Sequence, residues 1–150
     1  MGAPQNHQFE LVLAVDGYWD QPRAGMALVR GVPHRFYCPF DEQLDDYAEQ
    51  YRLHPLDAAT LRLECEAFEI YNGHGLCPDL PQVLPDPIPR FPEAEARFNE
   101  LQRTLQPDRD LVDSSNHLAL AEFKRRAAPD SWRGTQLWSV RWTLLAAPTP

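Results

Sequence analysis

The stretch AVDGYWDQPRAG, residues 14–25, sets Asp16 and Asp20 four apart around Tyr18 and Trp19, with Arg23 close behind. Paired carboxylates are the residue type for proton transfer, and Tyr, Trp and Arg are the types that anchor protein interfaces. A loop needed only to reverse the chain is served by Asp16, Gly17, Asp20, Pro22 and Gly25. The two large aromatics exceed that need and must either fold into the core or stand exposed. PDSWRG, with Asp130, Trp132 and Arg133, shows the same mixture. If both loops lie at one end of a sheet, Asp16, Tyr18, Trp19, Asp20, Arg23, Asp130 and Trp132 make one acidic, aromatic surface. Such a surface selects a basic protein partner.

The competing reading is a small enzyme with Asp16, Asp20, Glu122 or His34 in acid–base work on a small polar substrate. His34 shares a strand face with Phe36 and Cys38, where a hydrogen-bonded core histidine is the ordinary outcome. Glu122 and Arg141 fall on strands expected to be neighbours, which reads as a cross-strand ion pair. Glu66 and Glu69 sit in the last turns of a helix, where the dipole disfavours negative charge, and Arg62 is in reach of Glu66 at i+4. Ser114, Ser115 and His117 are close in sequence but read as a turn and strand entry. GxSxG, P-loop, GxGxxG and HExxH motifs are all missing from the sequence.

Metal chemistry has a weak basis. His74 and Cys77 form one ligand pair, and His54 and Cys65 upstream do not make the second close pair a structural zinc site shows. Cys38 and Cys65 read as small apolar packing residues. No zinc and no other cofactor is expected.

A chain of 150 residues, 43% hydrophobic and 11% aromatic, is long enough and apolar enough to bury a core. Residues 1–8 and 146–150 have no apolar period and contain prolines, so both are expected as frayed tails around one domain at 9–145. Asn6 stands where N-myristoylation requires Ser or Thr. No run approaches the roughly 18 apolar residues of a membrane span, and no secretory pattern opens the chain. With an odd cysteine count and no CxxC, the expected location is the cytoplasm. A net charge of −8, with 14 Lys and Arg spread along the chain, speaks against nucleic acid.

Two periods alternate along the chain. FELVLAV (9–15) is a strand, and GMALV with VPHRFYCPF make a hairpin around Arg30–Gly31, where Gly accepts positive φ. DEQLDDYAEQY (41–51) carries Leu44, Tyr47, Ala48 and Tyr51 at helical spacing behind Asp41 as a cap, so it reads as a helix ended by Pro55. A second helix follows Asp57 to about residue 72, with Leu61, Cys65 and Phe68 inward and Gly73 as terminator. Residues 77–92 are proline-rich and expected to run extended over the surface. The third helix covers 92–105, with Phe98, Leu101 and Leu105 buried. HLALAEFKRR and QLWSVRWTLL are two strands joined by a loop through Pro129 and Gly134. The expected fold is α+β: a mainly antiparallel sheet of about five strands with two or three helices on one face. Small acidic α+β proteins include inhibitors and immunity proteins that cap basic toxins or nucleases. That likeness is one of composition, and it makes a cytoplasmic binding protein the first expectation.

Overall fold

Period-two patterning governs most of the chain, and the computed structural model, which describes residues 8–72, 95–126 and 137–145, resolves it into a barrel. The strands are β1 (Glu10–Tyr18), β2 (Pro22–Val29), β3 (Val32–Tyr37), β4 (Phe40–Asp41), β5 (Asp46–Tyr47), β6 (Tyr51–Pro55), β7 (Leu118–Arg126) and β8 (Leu137–Leu144). The helices are α1 (Ala58–Asn72) and α2 (Glu95–Asp113). The class is α+β and the main sheet is antiparallel throughout. It has six strands rather than five, and it closes on itself in the order β1-β2-β3-β6-β7-β8. Closure removes the two free edges that an open sheet would leave.

Alternation sorts each strand into an inward and an outward set. Val12, Ala27, Val29, Phe36, Tyr51, Leu53, Val140 and Trp142 fill the lumen. Phe36, Tyr51, Phe123 and Trp142 form a tetrad there, with every pair of ring centres 5.6–6.1 Å apart. A barrel of this size is filled by its own side chains, so the lumen is core and not a binding site. On β1 the alternation breaks. A register shift between Val12 and Ala14 turns Leu13 and Ala14 to the outside together, where they meet Leu61, Cys65 and Phe68 of α1. The opposite side of α1 packs Ala67 and Ile70 on Leu101 and Leu105 of α2. Of the residues expected inward from their spacing, Leu61, Cys65, Phe68, Leu101 and Leu105 are buried, while Phe98 is half-buried at the edge of that cluster.

The β2–β3 hairpin has Arg30 and Gly31 both at positive φ, 52° and 79°, the backbone a two-residue turn requires. Glu10 adds a clamp: its carboxylate oxygens accept from the amides of Arg30 at 3.0 Å and Gly31 at 2.8 Å. Asp57 caps α1 by accepting from the Thr60 amide at 2.7 Å. That bond holds its carboxyl below the usual range.

Two local expectations are corrected. Residues 41–51 are not a helix: Asp41 accepts from the amides of Gln43 and Leu44, as a cap would, but the chain then turns back, pairing Phe40 with Tyr47 and Asp41 with Asp46. Leu44, assigned to a buried stripe, is 71% exposed, while Tyr51 belongs to β6 and enters the lumen. The last helix passes through Pro107 to Asp113 instead of stopping at 105, held on both sides of the proline by buried Leu105 and Val112. The helices pack on one face of the sheet, and closure makes that face the outside of a barrel. The proline-rich segment, the 127–136 loop, Gly73 and both expected tails, apart from Gln8, lie outside the described residues.

Two contacts of the barrel are short. β1 meets β8 through Glu10–Val140 and Leu11–Ser139 alone, and β6 meets β7 through Tyr51–Ala119 and Arg52–Leu118. β7 and β8 pair with each other over eight residues.

Candidate functional site

The β1–β2 turn is stiffened from within. Asp20 Oδ1 accepts from Arg23 Nη2 at 2.6 Å and Nε at 3.1 Å, and the Trp19 amide donates to the Gln21 carbonyl at 3.2 Å. The Arg23 bond holds the Asp20 carboxyl below its ordinary range. Burial opposes the Arg23 charge, but Asp20, with Tyr51 and Cys38 nearby, keeps its pKa raised. On this frame Trp19 is 71% exposed and Tyr18 50% exposed. Tyr18 leans on Trp138 of β8 at 6.0 Å between ring centres, and the Arg125 guanidinium lies 5.4 Å from the Trp138 ring.

Arg23 also joins this turn to the β4–β5 hairpin, its guanidinium carbon 4.4 Å from the centre of the Tyr47 ring. Tyr47 in turn meets Phe40 edge to face at 5.2 Å. The hairpin presents Phe40 and Leu44 to solvent among Asp41, Glu42, Asp45 and Asp46. An apolar stripe at helical spacing places Leu44 inward, so the sequence does not mark this segment as an exposed apolar surface. The signal available was its density of acids, four in the six residues from Asp41 to Asp46, around a lone leucine.

Asp16 is placed elsewhere. Its Oδ2 accepts from Arg35 Nη1 and Nη2 at 3.0 and 2.8 Å, and Arg35 Nη2 also donates to Glu64 at 2.5 Å. Arg109 of α2 closes the other side of Glu64, with Nε at 3.0 Å, and donates through Nη1 to Gln102 at 2.7 Å. Glu64 is 2% exposed, so two guanidiniums hold one buried carboxylate between barrel and helices. Burial works against the Arg35 charge, but Asp16 and Glu64 outweigh it and raise its pKa. Glu66, a second buried acid, pairs with Arg97 of α2 at 2.7 and 2.9 Å, not with Arg62. Sequence reading did not single out Glu64, although it sits at i+3 from Leu61 and i−4 from Phe68. A carboxylate inside an apolar stripe was the signal.

A cavity of about 400 Å³ opens beside this network, lined by Asp16, Gln102 and Arg109 on its polar side and by Met26, Phe68 and Phe98 on its apolar side. A smaller one of about 230 Å³ on the other side of Asp16 is lined by Arg35, Arg109 and Asp113.

The remaining candidates are engaged. His34 Nδ1 donates to the Val32 carbonyl at 2.8 Å, its ring meets His117 edge-on, and burial lowers its pKa. Arg141 Nε donates to Glu122 at 2.8 Å across β7 and β8, the pair expected from the sequence. Ser115 Oγ donates to the Leu53 carbonyl at 2.6 Å and accepts from the His117 amide, tying the α2–β7 connection to the barrel. Cys38 donates its S–H to the Ala48 carbonyl, and burial raises its pKa, which makes it a poor nucleophile. Cys65, on the barrel-facing side of α1, is fully buried. Among the described residues no three His, Cys, Asp or Glu side chains are grouped to hold a metal ion, and no helix is long and apolar enough to cross a membrane. Asp130, Trp132, His74 and Cys77 lie outside the described residues.

No family model matches the chain, and no curated protein and no solved structure is significantly similar to it.

Proposed function

We propose that this chain is a protein-binding domain of the inhibitor or immunity kind, engaging a basic partner through the β1–β2 turn and the adjoining β4–β5 hairpin. The observation that carries the reading is Trp19, exposed at 71% on a turn fixed by the Asp20–Arg23 ion pair. An aromatic held out on a rigid support loses little entropy when a partner buries it, and such residues dominate interface energies. Tyr18, Phe40 and Leu44 extend the apolar area, and the surrounding acids with a net charge of −8 favour a cationic surface opposite. Asp20 contributes less steering than its sequence position implies because Arg23 already neutralises it in part; the hairpin acids carry more.

The alternative, an enzyme using Asp16, Asp20, Glu122 or His34, has less support. Each of these groups is committed to a hydrogen bond or ion pair, and they do not converge on one cavity.

The test is capture from the native host with wild-type and Trp19→Ala chains side by side, followed by surface plasmon resonance on the recovered partner. A basic protein retained by the wild type and weakened by about 2 kcal/mol or more in Trp19→Ala, mostly through faster dissociation, supports the reading. Equal capture by both chains sinks it.

A further inference from the structure

We propose that the outer edge of β7 pairs with the same edge of a second copy of this chain, joining two barrels about a twofold axis at Phe123. The surface is separate from the turn and hairpin that carry the protein-binding reading. The ring of strands closes, but β7 outruns its neighbour on one side: β6 covers it only at Leu118 and Ala119, because β6 begins at Tyr51 while β7 runs on to Arg126. Hydrogen bonds fix which groups the remaining edge shows. The Leu145 amide donates to the Leu118 carbonyl on the β8 side, and the Leu53 amide donates to the His117 carbonyl on the β6 side. In an antiparallel ladder a residue turns its N–H and C=O to one side and its neighbours turn theirs to the other. The β7–β8 register is unbroken, so Ala121, Phe123 and Arg125 direct both backbone groups to the open side. Among the described residues no backbone group meets them there, and such an edge is a template for another strand.

The side chains select the occupant and its register. Glu122 and Lys124 stand exposed on the outer face, between the residues whose backbone is open. In an antiparallel pair they fall at the positions without hydrogen bonds, where facing side chains come closest. A twofold axis at Glu122 sets that carboxylate against its own copy, and an axis at Lys124 sets two ammoniums together. An axis at Arg125 places Lys124 against Arg126, and one at Ala121 runs the second strand into β6. With the axis at Phe123, Glu122 faces the partner's Lys124 and Lys124 faces the partner's Glu122. Phe123 then exchanges backbone bonds with its own copy, and Ala121 does so with the partner's Arg125, so the whole open edge is used. A lysine on an edge strand ordinarily repels a second strand; Glu122, two residues before it, makes this edge complementary to itself.

The test is sedimentation of the full chain over a range of concentrations, beside Glu122→Lys and Lys124→Glu. The wild type is expected to associate reversibly to a dimer and no further, since a twofold contact uses the edge up. Each charge reversal sets like charges together at both contacts and weakens the dimer by about tenfold or more. Mixed in equal amounts, the two variants complement each other and recover a heterodimer, counted by native mass spectrometry with one of them isotope-labelled. The Glu122–Arg141 pair that Glu122→Lys also removes is exposed and adds little to folding. A monomer at every concentration, equal dimerisation by all three chains, or a mixture that associates no better than the single variants would each overturn the proposal. If either variant fails to melt cooperatively, amide exchange of the wild type decides. The amides of Ala121, Phe123 and Arg125 gain protection as concentration rises, whereas protection that does not change with concentration means that the chain covers its own edge and overturns the proposal.

Discussion

Arg23 bonds Asp20 on its own turn and covers the face of Tyr47 on another, so one side chain fixes two loops that are more than twenty residues apart in the sequence. The exposed aromatic turn and the acidic hairpin therefore form one surface because of a residue that is itself half-buried. Its terminal nitrogen also reaches Cys38 Sγ at 3.3 Å, which ties the surface to the barrel core.

Replacing Arg23 with Met keeps the stem and removes the charge. Amide exchange across Phe40–Tyr47 is expected to quicken by about fivefold, equivalent to about 1 kcal/mol for a partly buried cation–π contact. Hydrogen–deuterium exchange read by mass spectrometry checks this, and unchanged rates in that hairpin would show that Arg23 does not couple the loops.

Trp19→Ala should leave the melting curve within about 0.5 kcal/mol of the wild type, as expected for a side chain that is mostly in solvent. A circular dichroism melt suffices. A loss of several kcal/mol means that the ring packs on something structural.

Glu64→Ala should be among the most damaging single changes, about 3–5 kcal/mol, because it leaves Arg35 and Arg109 facing each other without their shared counter-charge. Urea denaturation measures it. Adding Arg109→Met to Glu64→Ala should recover part of the loss, since one of the orphaned charges goes with it.

Two titrations bound the pH range of stability from opposite sides. Burial pushes the Tyr51 hydroxyl up to about 12, against 10.0 for a free tyrosine, so the stability it contributes is complete below pH 10 and is lost as pH rises toward 12. His34 is buried and held below 6.5, so the unfolded chain takes up a proton that the native fold refuses, and stability falls as pH drops below 6.5. Melts from pH 5 to 11 should decline at both ends; Tyr51→Phe should flatten the alkaline arm and His34→Gln the acid one. A Tyr51→Phe chain that still loses stability as steeply above pH 10 would exclude Tyr51 as the cause.

Gly25→Ala is expected to cost several kcal/mol, because a Cβ there would stand 2.2 Å from the Ala14 carbonyl oxygen and 3.0 Å from the Phe36 ring. The obstacle is backbone on the neighbouring strand, which cannot rotate aside. Thermal unfolding checks it, and a shift below about 2 °C would mean that β1 and β2 separate at little cost.

Where short-range chemistry decides, the sequence was readable. Arg30–Gly31 made its turn, Asp57 capped its helix, and Leu61, Cys65 and Phe68 faced inward because spacing alone sets the face of a helix. Residues 41–51 were misread because Tyr47, Ala48 and Tyr51 satisfy a helical period as well as they satisfy a hairpin followed by a short strand. The arbiter was distant: Tyr51 has a place waiting among Phe36, Phe123 and Trp142, which no local window contains. Barrel closure was illegible for the same reason, since alternation says which side of a strand is apolar but not whether the sheet meets itself. Of the expected surface, Tyr18, Trp19, Asp20 and Arg23 lie together, while Asp16 turned to Arg35, a partner visible only in three dimensions.

The two short contacts of the barrel have a kinetic consequence. The β7–β8 hairpin pairs locally, and β1 to β3 form a meander in unbroken succession, so each half can assemble from near neighbours. Joining them demands that Glu10 find Val140 and Leu11 find Ser139 across almost the whole polypeptide. Loop entropy makes that encounter the slow event, and nothing local can hasten it. The barrel should therefore zip shut last and part first, with β7 and β8 coming away as a single leaf while β1 to β3 keep their pairing.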